Sequence, residues 1–331
     1  MVERDEIAVK ITGREINLKE KEMKNSLVLI GLLACLTACT ESSNTVQIGG
    51  LNEAPVQENT LGTSSKEDAS YWYGGTAEIT SYRLTQARYG ELHEGTATFV
   101  FVTETFSPSH NAKADRKYDD NIPVLKLNRT RKFNTGIYPY SVMSSTFFPF
   151  KKGDHSLKVT NSSQEWCGHT FMELGRSGKQ FNVELNSYFD GEGYDERKTE
   201  MALLEDDVWS MIRLRNSNLP EGEFQMYPSM EFCRFSHVEY KPYACEAIVL
   251  HGDNYNTYLL KYPEIDRELS ITYLGGGNYE ISQWTETYFS GYGGSRTKLT
   301  TIGEAMKSIN IDYWNKNKRA DSTYRQQLNL L

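Results

Sequence analysis

From residue 76 onward, apolar and polar side chains alternate in short runs, the period-two signature of strands with one face half-buried. Residues 76–89 and 96–106 form the first such pair, separated by Gly90-Glu91-Leu92-His93-Glu94-Gly95, and this spacing predicts a hairpin. In the second run Ala97, Phe99 and Phe101 alternate with Thr98, Val100 and Val102, so both faces carry apolar surface. Similar runs at 122–127, 136–150, 155–174 and 180–189 are punctuated by Gly, Asn, Asp and Lys clusters. The period changes over 201–214, where Leu203, Leu204, Val208, Met211 and Ile212 fall at helical spacing. Glu205, Asp206 and Asp207 near its front and Arg213 and Arg215 at its end suit a helix dipole. Strand-like runs resume at 224–240, 243–251, 255–262, 267–274 and 279–289, and 302–314 predicts a second helix. The expected fold class is mainly β: a large curled antiparallel sheet, β-barrel-like or half-barrel, with one or two short α-helices. A sheet of about ten strands or more usually curls or closes to protect its edges. No internal repeat is visible, and residues 71–331 read as one mainly β domain, with a subdivision near Pro220 as the alternative.

The first 70 residues follow different rules. Lys24 opens a positive start at Met23, an apolar run covers 27–36, and Thr37-Ala38-Cys39 closes it with small residues, the three regions of a signal peptide. The run is about half the ~20 residues that a membrane-spanning helix requires. Leu36-Thr37-Ala38-Cys39 resembles the lipobox of bacterial lipoproteins, which implies cleavage after residue 38 and lipidation of Cys39. Residues 1–22 hold more acidic than basic side chains and make a poor leader, so they are expected to be a mis-called extension; a cytoplasmic tail before an uncleaved anchor is the alternative. Residues 39–70 are rich in Ser, Thr, Asn, Gly and Glu without apolar period and read as a flexible tether.

Composition narrows the class. Aromatic residues make up 12% of the chain, including 21 Tyr, a bias that favours pleated surfaces. The net charge is −8, and no basic block with interleaved aromatics is present, so nucleic acid is not an expected partner. Of five cysteines, cleavage and lipidation leave Cys167, Cys233 and Cys245, enough for at most one disulfide. Cys233 and Cys245 are nearest in sequence, but a hairpin turning near Lys241-Pro242 would set Cys233 opposite Leu250 and leave the two apart.

Common catalytic signatures are missing: no G-x-S-x-G elbow, phosphate-binding loop, dinucleotide fingerprint or H-E-x-x-H appears, and no cofactor is expected. Gly275-Gly276-Gly277 lies between strands and opens no helix, which makes it a turn. One dense group remains, Glu165, Cys167 and His169, which on a continuous strand share a face and are candidates for a metal or activated-thiol site. Three successive same-face positions on a straight strand diverge, however, and a structural strand with a small buried Cys explains the group better. The second candidate is aromatic. Trp72, Tyr73, Tyr138, Tyr140, Trp166, Trp284 and Tyr288, with Tyr71 and Tyr292, would line an apolar cavity in the mouth of a curled sheet or fill its core.

Four segments, Trp72-Tyr73-Gly74-Gly75-Thr76-Ala77-Glu78, Gln86-Ala87-Arg88-Tyr89-Gly90-Glu91, Phe133-Asn134-Thr135-Gly136-Ile137-Tyr138-Pro139-Tyr140 and Gln164-Glu165-Trp166-Cys167-Gly168-His169, carry a resemblance. They are similar to an uncharacterised bacterial lipoprotein family whose members are often labelled septum formation inhibitor Maf. The likeness runs from about Tyr71 to the C-terminus. The Ser-x-Arg-Arg pattern that opens the nucleotide pyrophosphatases of that name is absent, so the resemblance implies an envelope lipoprotein and supplies no catalytic residue. The expected protein is a lipid-anchored binding module for an apolar or amphipathic ligand, at the outer membrane facing the periplasm or exterior. The alternatives are a structural or partner-binding envelope lipoprotein without enzymatic activity, and, lower in rank, a hydrolase or metal enzyme.

Overall fold

A computed structural model describes residues 70–150, 155–215 and 219–330, which fall within one compact unit. The segments expected to be a mis-called extension, a signal peptide and a tether, together with Cys39, lie, up to residue 69, outside the described residues.

The alternating pattern becomes a first meander: β1 (Ala77–Arg88), β2 (Glu91–Ser107), β3 (Ala112–Lys113), β4 (Ile122–Thr135), β5 (Tyr138–Pro149), β6 (Lys158–Glu165), β7 (Gly168–Ser177), β8 (Gln180–Ser187) and β9 (Tyr194–Glu200). A two-residue strand β10 (Leu203–Leu204) leads into helix α1 (Glu205–Arg215) and then β11 (Gly222–Tyr227). Helix α2 (Met230–Ser236) precedes a second meander, β12 (Tyr243–His251), β13 (Tyr255–Tyr262), β14 (Arg267–Leu274), β15 (Ile281–Ser290) and β16 (Thr297–Ile311), and a short α3 (Thr323–Gln327) follows. All strands share one 16-stranded sheet, in which β16 returns to pair with β1 and thereby joins the two meanders. The expected class, mainly β with a curled barrel-like sheet and few short helices, is the observed one.

The ladder does not close. Its outer strands are β9 and β10, and side chains span the seam: Thr199 Oγ1 lies 2.7 Å from the Tyr227 hydroxyl, which donates to the Glu200 carbonyl at 3.0 Å. Arg197 donates to the Tyr240 carbonyl at 2.7 Å. Backbone edges that would otherwise invite another strand are thus brought against the protein itself.

Two element assignments differ from the sequence reading. Residues 302–311 form most of β16 rather than a helix, and only Tyr313 and Trp314 enter a helical turn, the short 3-10 turn Tyr313–Asn315. The register against β1 shifts between Ser81 and Tyr82, which skips Met306. The sequence places Ile302, Ala305, Met306 and Ile309 at the i, i+3, i+4, i+7 spacing of a helix, and the bulge breaks the period-two alternation that would otherwise mark a strand. Pairing on both edges, to β1 and β15, satisfies its backbone, and Gly303 lets the Trp284 ring lie directly on it where a Cβ would collide. The run 224–240 splits into β11 and α2. Ser229 caps α2 by accepting from the Phe232 amide at 3.3 Å, and the helix ends at His237 in the left-handed region, φ 51°. Because Met230 through Phe235 are all buried, α2 shows no polar face and no readable helical period.

Helix α1 begins four residues later than the predicted segment, and every residue from Glu205 to Arg213 is buried. It occupies the inside of the barrel. Trp209 packs against Phe99 and Trp284 with ring centroids 5.3 and 5.8 Å apart, and Tyr82 joins the same stack. A second apolar cluster around Val159, Leu174, Phe181 and Met230 fills another part of the interior, and buried ion pairs lie beside this packing. Arg129 meets Asp206 at 2.5 Å, Arg267 is bidentate with Glu205, Arg213 with Glu78, and Arg131 bridges Glu286 at 2.5 Å and Glu231 at 2.8 Å. Among the described residues no cation pairs with Asp207, which accepts from the Ser156 amide at 2.9 Å and hydroxyl at 2.5 Å. Acidic side chains crowd the α1 N-terminus, where the helix dipole favours them, and the opposing strands supply the arginines.

Candidate functional site

A small cleft of about 160 Å³ lies beside Tyr255 and Leu274 at one end of the barrel, and the largest clefts among the described residues gather at the other. Antiparallel order places the β1–β2, β4–β5, β6–β7, β8–β9, β13–β14 and β15–β16 turns together there, with α2 across them. Tight turns shape the rim: Tyr89 and Gly90, at φ 56° and 82°, make a two-residue hairpin loop, and Gly90 sits so close to the Ser295 carbonyl that a side chain would strike it.

His237, which ends α2, organises the mouth. Its Nδ1 lies 2.6 Å from Glu192 Oε1 and its Nε2 2.6 Å from the Tyr292 hydroxyl. Arg234 donates to both Glu192 oxygens at 2.6 and 2.8 Å and to Thr170 at 3.2 Å. Burial opposes charge on Glu192, but the His237 bond and the Arg234 charge outweigh it and hold the carboxyl below its usual range. A chain Tyr292–His237–Glu192–Arg234 thus locks α2 to the β8–β9 and β15–β16 turns.

Three clefts surround this chain, and His237 borders each. The first, about 380 Å³, has apolar walls from Met172, Val183 and Val238 and a charged rim in which Glu192, Asp195 and Glu239 stand beside Arg197 and Arg234. The second, about 360 Å³, runs between α2 and the β15–β16 turn, with Phe232, Val238, Ile265 and Phe289 beside Arg88 and Arg296. The third, about 140 Å³, connects Arg88 and Tyr140 with Glu165.

The aromatic candidates divide between core, mouth and surface. Trp284 is core, with Trp72 buried against Phe101, ring centroids 6.0 Å apart. Tyr73 is exposed beside Phe150. At the mouth, Tyr288 lines the second cleft, donating to the Ala87 carbonyl at 2.8 Å, and Tyr140 lines the third, its hydroxyl 2.6 Å from that of Tyr89. Tyr138 stacks on Trp166, which is 68% exposed; with Ile137 at 83% and Tyr188 at 71% it forms an apolar rim on the turn tips.

Glu165, Cys167 and His169 do not share one strand face. A hairpin turn at Trp166-Cys167 separates β6 from β7; Glu165 pairs with Gly168 and Gln164 with His169, so Glu165 and His169 point to opposite faces. Glu165 instead accepts from the Cys167 amide at 2.6 Å, and its hydrogen bond and charge push the exposed thiol above its usual range, away from thiolate. Among the described residues no group of three or more His, Cys, Asp or Glu could hold a metal ion. Cys233 lies in α2 and Cys245 in β12; both are buried free thiols, and the burial that dominates Cys245 raises it to about 12.

Arg88, Glu192, Arg234 and His237 escaped the sequence reading as site residues. Arg88 was legible in principle, since it shares the inward phase of β1 with Tyr82, Leu84 and Gln86. The others are brought together by loop geometry.

No protein-family model and no curated protein matches the chain. A solved structure of a β-barrel-like protein of domain of unknown function DUF1849 from Brucella abortus is similar, with a TM-score of 0.44 and 9% identity. The likeness covers 72% of this chain and 98% of that one.

Proposed function

We propose that the protein is a lipid-anchored envelope binding module that takes an amphipathic ligand at the barrel mouth. The observation that carries this reading is the pair of clefts of about 380 and 360 Å³ flanking α2, each with apolar walls and charged rims, beside an otherwise filled barrel. Their size falls in the range of small-molecule sites, and a few polar groups on apolar walls is the arrangement such sites use. Val238 borders both. Val238→Trp should fill them and weaken binding of the amphipathic dye 1-anilinonaphthalene-8-sulfonate by about tenfold or more, with an unchanged far-ultraviolet circular dichroism spectrum. Dye binding equal to that of the parent would refute the reading.

A second reading, a partner-binding envelope lipoprotein, is favoured by the exposed tips Ile137, Trp166 and Tyr188. Crosslinking in intact cells that captured no envelope protein through these turns would count against it.

The anchor belongs to the same proposal. Acyl chains on Cys39 would contribute about 0.8 kcal/mol per buried CH₂, whereas a mature chain of net charge −8 is repelled by anionic headgroups. Cys39→Ser should abolish labelling by a palmitate analogue and shift the protein from the membrane to the soluble fraction. Membrane attachment of the parent should survive high salt and yield to detergent. An unlabelled parent would remove the anchor from the proposal.

A further inference from the structure

Among the described residues six arginines are buried, and five of them, Arg129, Arg131, Arg213, Arg234 and Arg267, are paired with carboxylates. Arg88 is the exception. It is 7% exposed, its Nη1 donates to the Phe235 carbonyl at 2.5 Å, and its Nη2 makes a long 3.4 Å contact to the Tyr140 hydroxyl. Its Nε is buried without a hydrogen-bond partner. The guanidinium lies over Tyr89 and Phe235, 4.4 and 5.0 Å from the ring centroids, which offsets part of the desolvation cost but neutralises no charge. A buried cation in this state is expensive unless an anion joins it.

We propose that the cleft between α2 and the β15–β16 turn binds the anionic head group of a single-chain amphiphile, with Arg88 as its principal partner. This assignment rests on the mouth being a ligand site and names the class of ligand. Charge selects this cleft over its neighbour. Its lining includes Arg88, Arg296 and His237 and no carboxylate, whereas in the first cleft Arg197 and Arg234 are already paired with Asp195 and Glu192, and Glu239 adds a further carboxylate. Arg296 stands at the rim over Phe289, 4.9 Å from the ring centroid, and no carboxylate pairs with it among the described residues. Phe232, Val238, Ile265 and Phe289 supply the apolar wall that an acyl tail would cover. A guanidinium fork suits carboxylate and phosphate alike, so the shared chemistry is an anionic oxygen head group joined to an apolar chain.

Calorimetric titration of the full chain carrying Cys39→Ser, which keeps its own acyl chains out of the measurement, tests this with laurate, dodecanol, dodecyltrimethylammonium and inorganic phosphate. Laurate should bind at least about tenfold more tightly than dodecanol, and the cationic amphiphile least tightly. Arg88→Met should remove the preference for laurate while leaving the melting temperature equal or higher, because an uncompensated buried charge is gone. Arg296→Ala, at the exposed rim, should weaken laurate binding without affecting folding and serves if Arg88→Met fails to fold. An undiminished preference for laurate in the folded variants would overturn the assignment. Equal binding of laurate and dodecanol, both lost in Val238→Trp, would keep the ligand site and reject the anionic head group. No amphiphile binding at all would reject both, and phosphate binding without laurate binding would replace the amphiphile by a free anion.

Discussion

Replacing Arg131 with methionine should destabilise the protein by about 3–5 kcal/mol, a large share of the 5–15 kcal/mol that usually separates folded from unfolded states. Arg131 lies on β4 inside the barrel, 2.5 Å from Glu286 and 2.8 Å from Glu231, and it also donates to Gln86 at 3.2 Å. Burial opposes ionisation of both glutamates; the Arg131 charge holds Glu286 below its usual range, while Glu231 stays above it. Methionine removes the cation and leaves two carboxyls facing each other away from water. The loss should be greatest at alkaline pH and shrink under acid, where the abandoned carboxyls take up protons. Urea unfolding at pH 5 and pH 8 measures this. The triple variant Arg131→Met, Glu231→Gln, Glu286→Gln should recover most of the lost stability, because the cost lies in unpaired charge rather than in missing packing. A single variant as stable as the parent at pH 8 would show that the cluster is hydrated and contributes little.

The second large effect is a pH dependence centred on Asp207. Burial raises this carboxyl from its ordinary 3.8 to about 7, against the lowering influence of two hydrogen bonds from Ser156. The folded protein therefore keeps a proton that the unfolded chain releases above the usual aspartate range. This contribution to stability is complete below about pH 4 and is lost as the pH climbs toward 7. Asp207→Asn mimics the protonated form and retains an acceptor for the Ser156 amide. It should raise stability at pH 8 by on the order of 3 kcal/mol relative to its effect at pH 4. Chemical unfolding of parent and variant at both pH values isolates this group from carboxylates such as Glu78 and Glu192, which are shifted the opposite way. A parent–variant difference that does not change with pH would mean that Asp207 is ionised throughout.

Much of the buried charge was present in the sequence as phase, but little of the site at the mouth was. Along β4, Arg129 and Arg131 occupy the same inward register as Leu125, Leu127 and Phe133; along β14, Arg267 precedes Leu269 and Ile271; along β15, Glu286 stands between Trp284 and Tyr288. A charged residue in an apolar phase announces a buried charge, although not its partner. Arg88 follows the same rule on β1. His237 and Glu192 do not, because their loops carry no period, and 45 residues of chain separate two atoms that lie 2.6 Å apart.

Sequence alone determined the mainly β class, the curling that a sheet of this size requires, the helix that became α1, and the alternation that chooses which side chains face inward. Those features follow from local sterics and from a period of two, which a single chain displays without its neighbours. Tertiary structure decided the rest. The bulge at Met306 disguised β16 as a helix, since losing one residue from the ladder breaks the period-two alternation and leaves the helix-like spacing of its apolar residues as the readable pattern. Full burial hid α2, because its charged residues Glu231 and Arg234 are buried in ion pairs and mark no solvent face, so its seven residues offer no period to read. Which carboxylate each buried arginine meets, and that Arg88 meets none, depends on strand order across the barrel; no pairing of that kind is written in residues far apart along the chain.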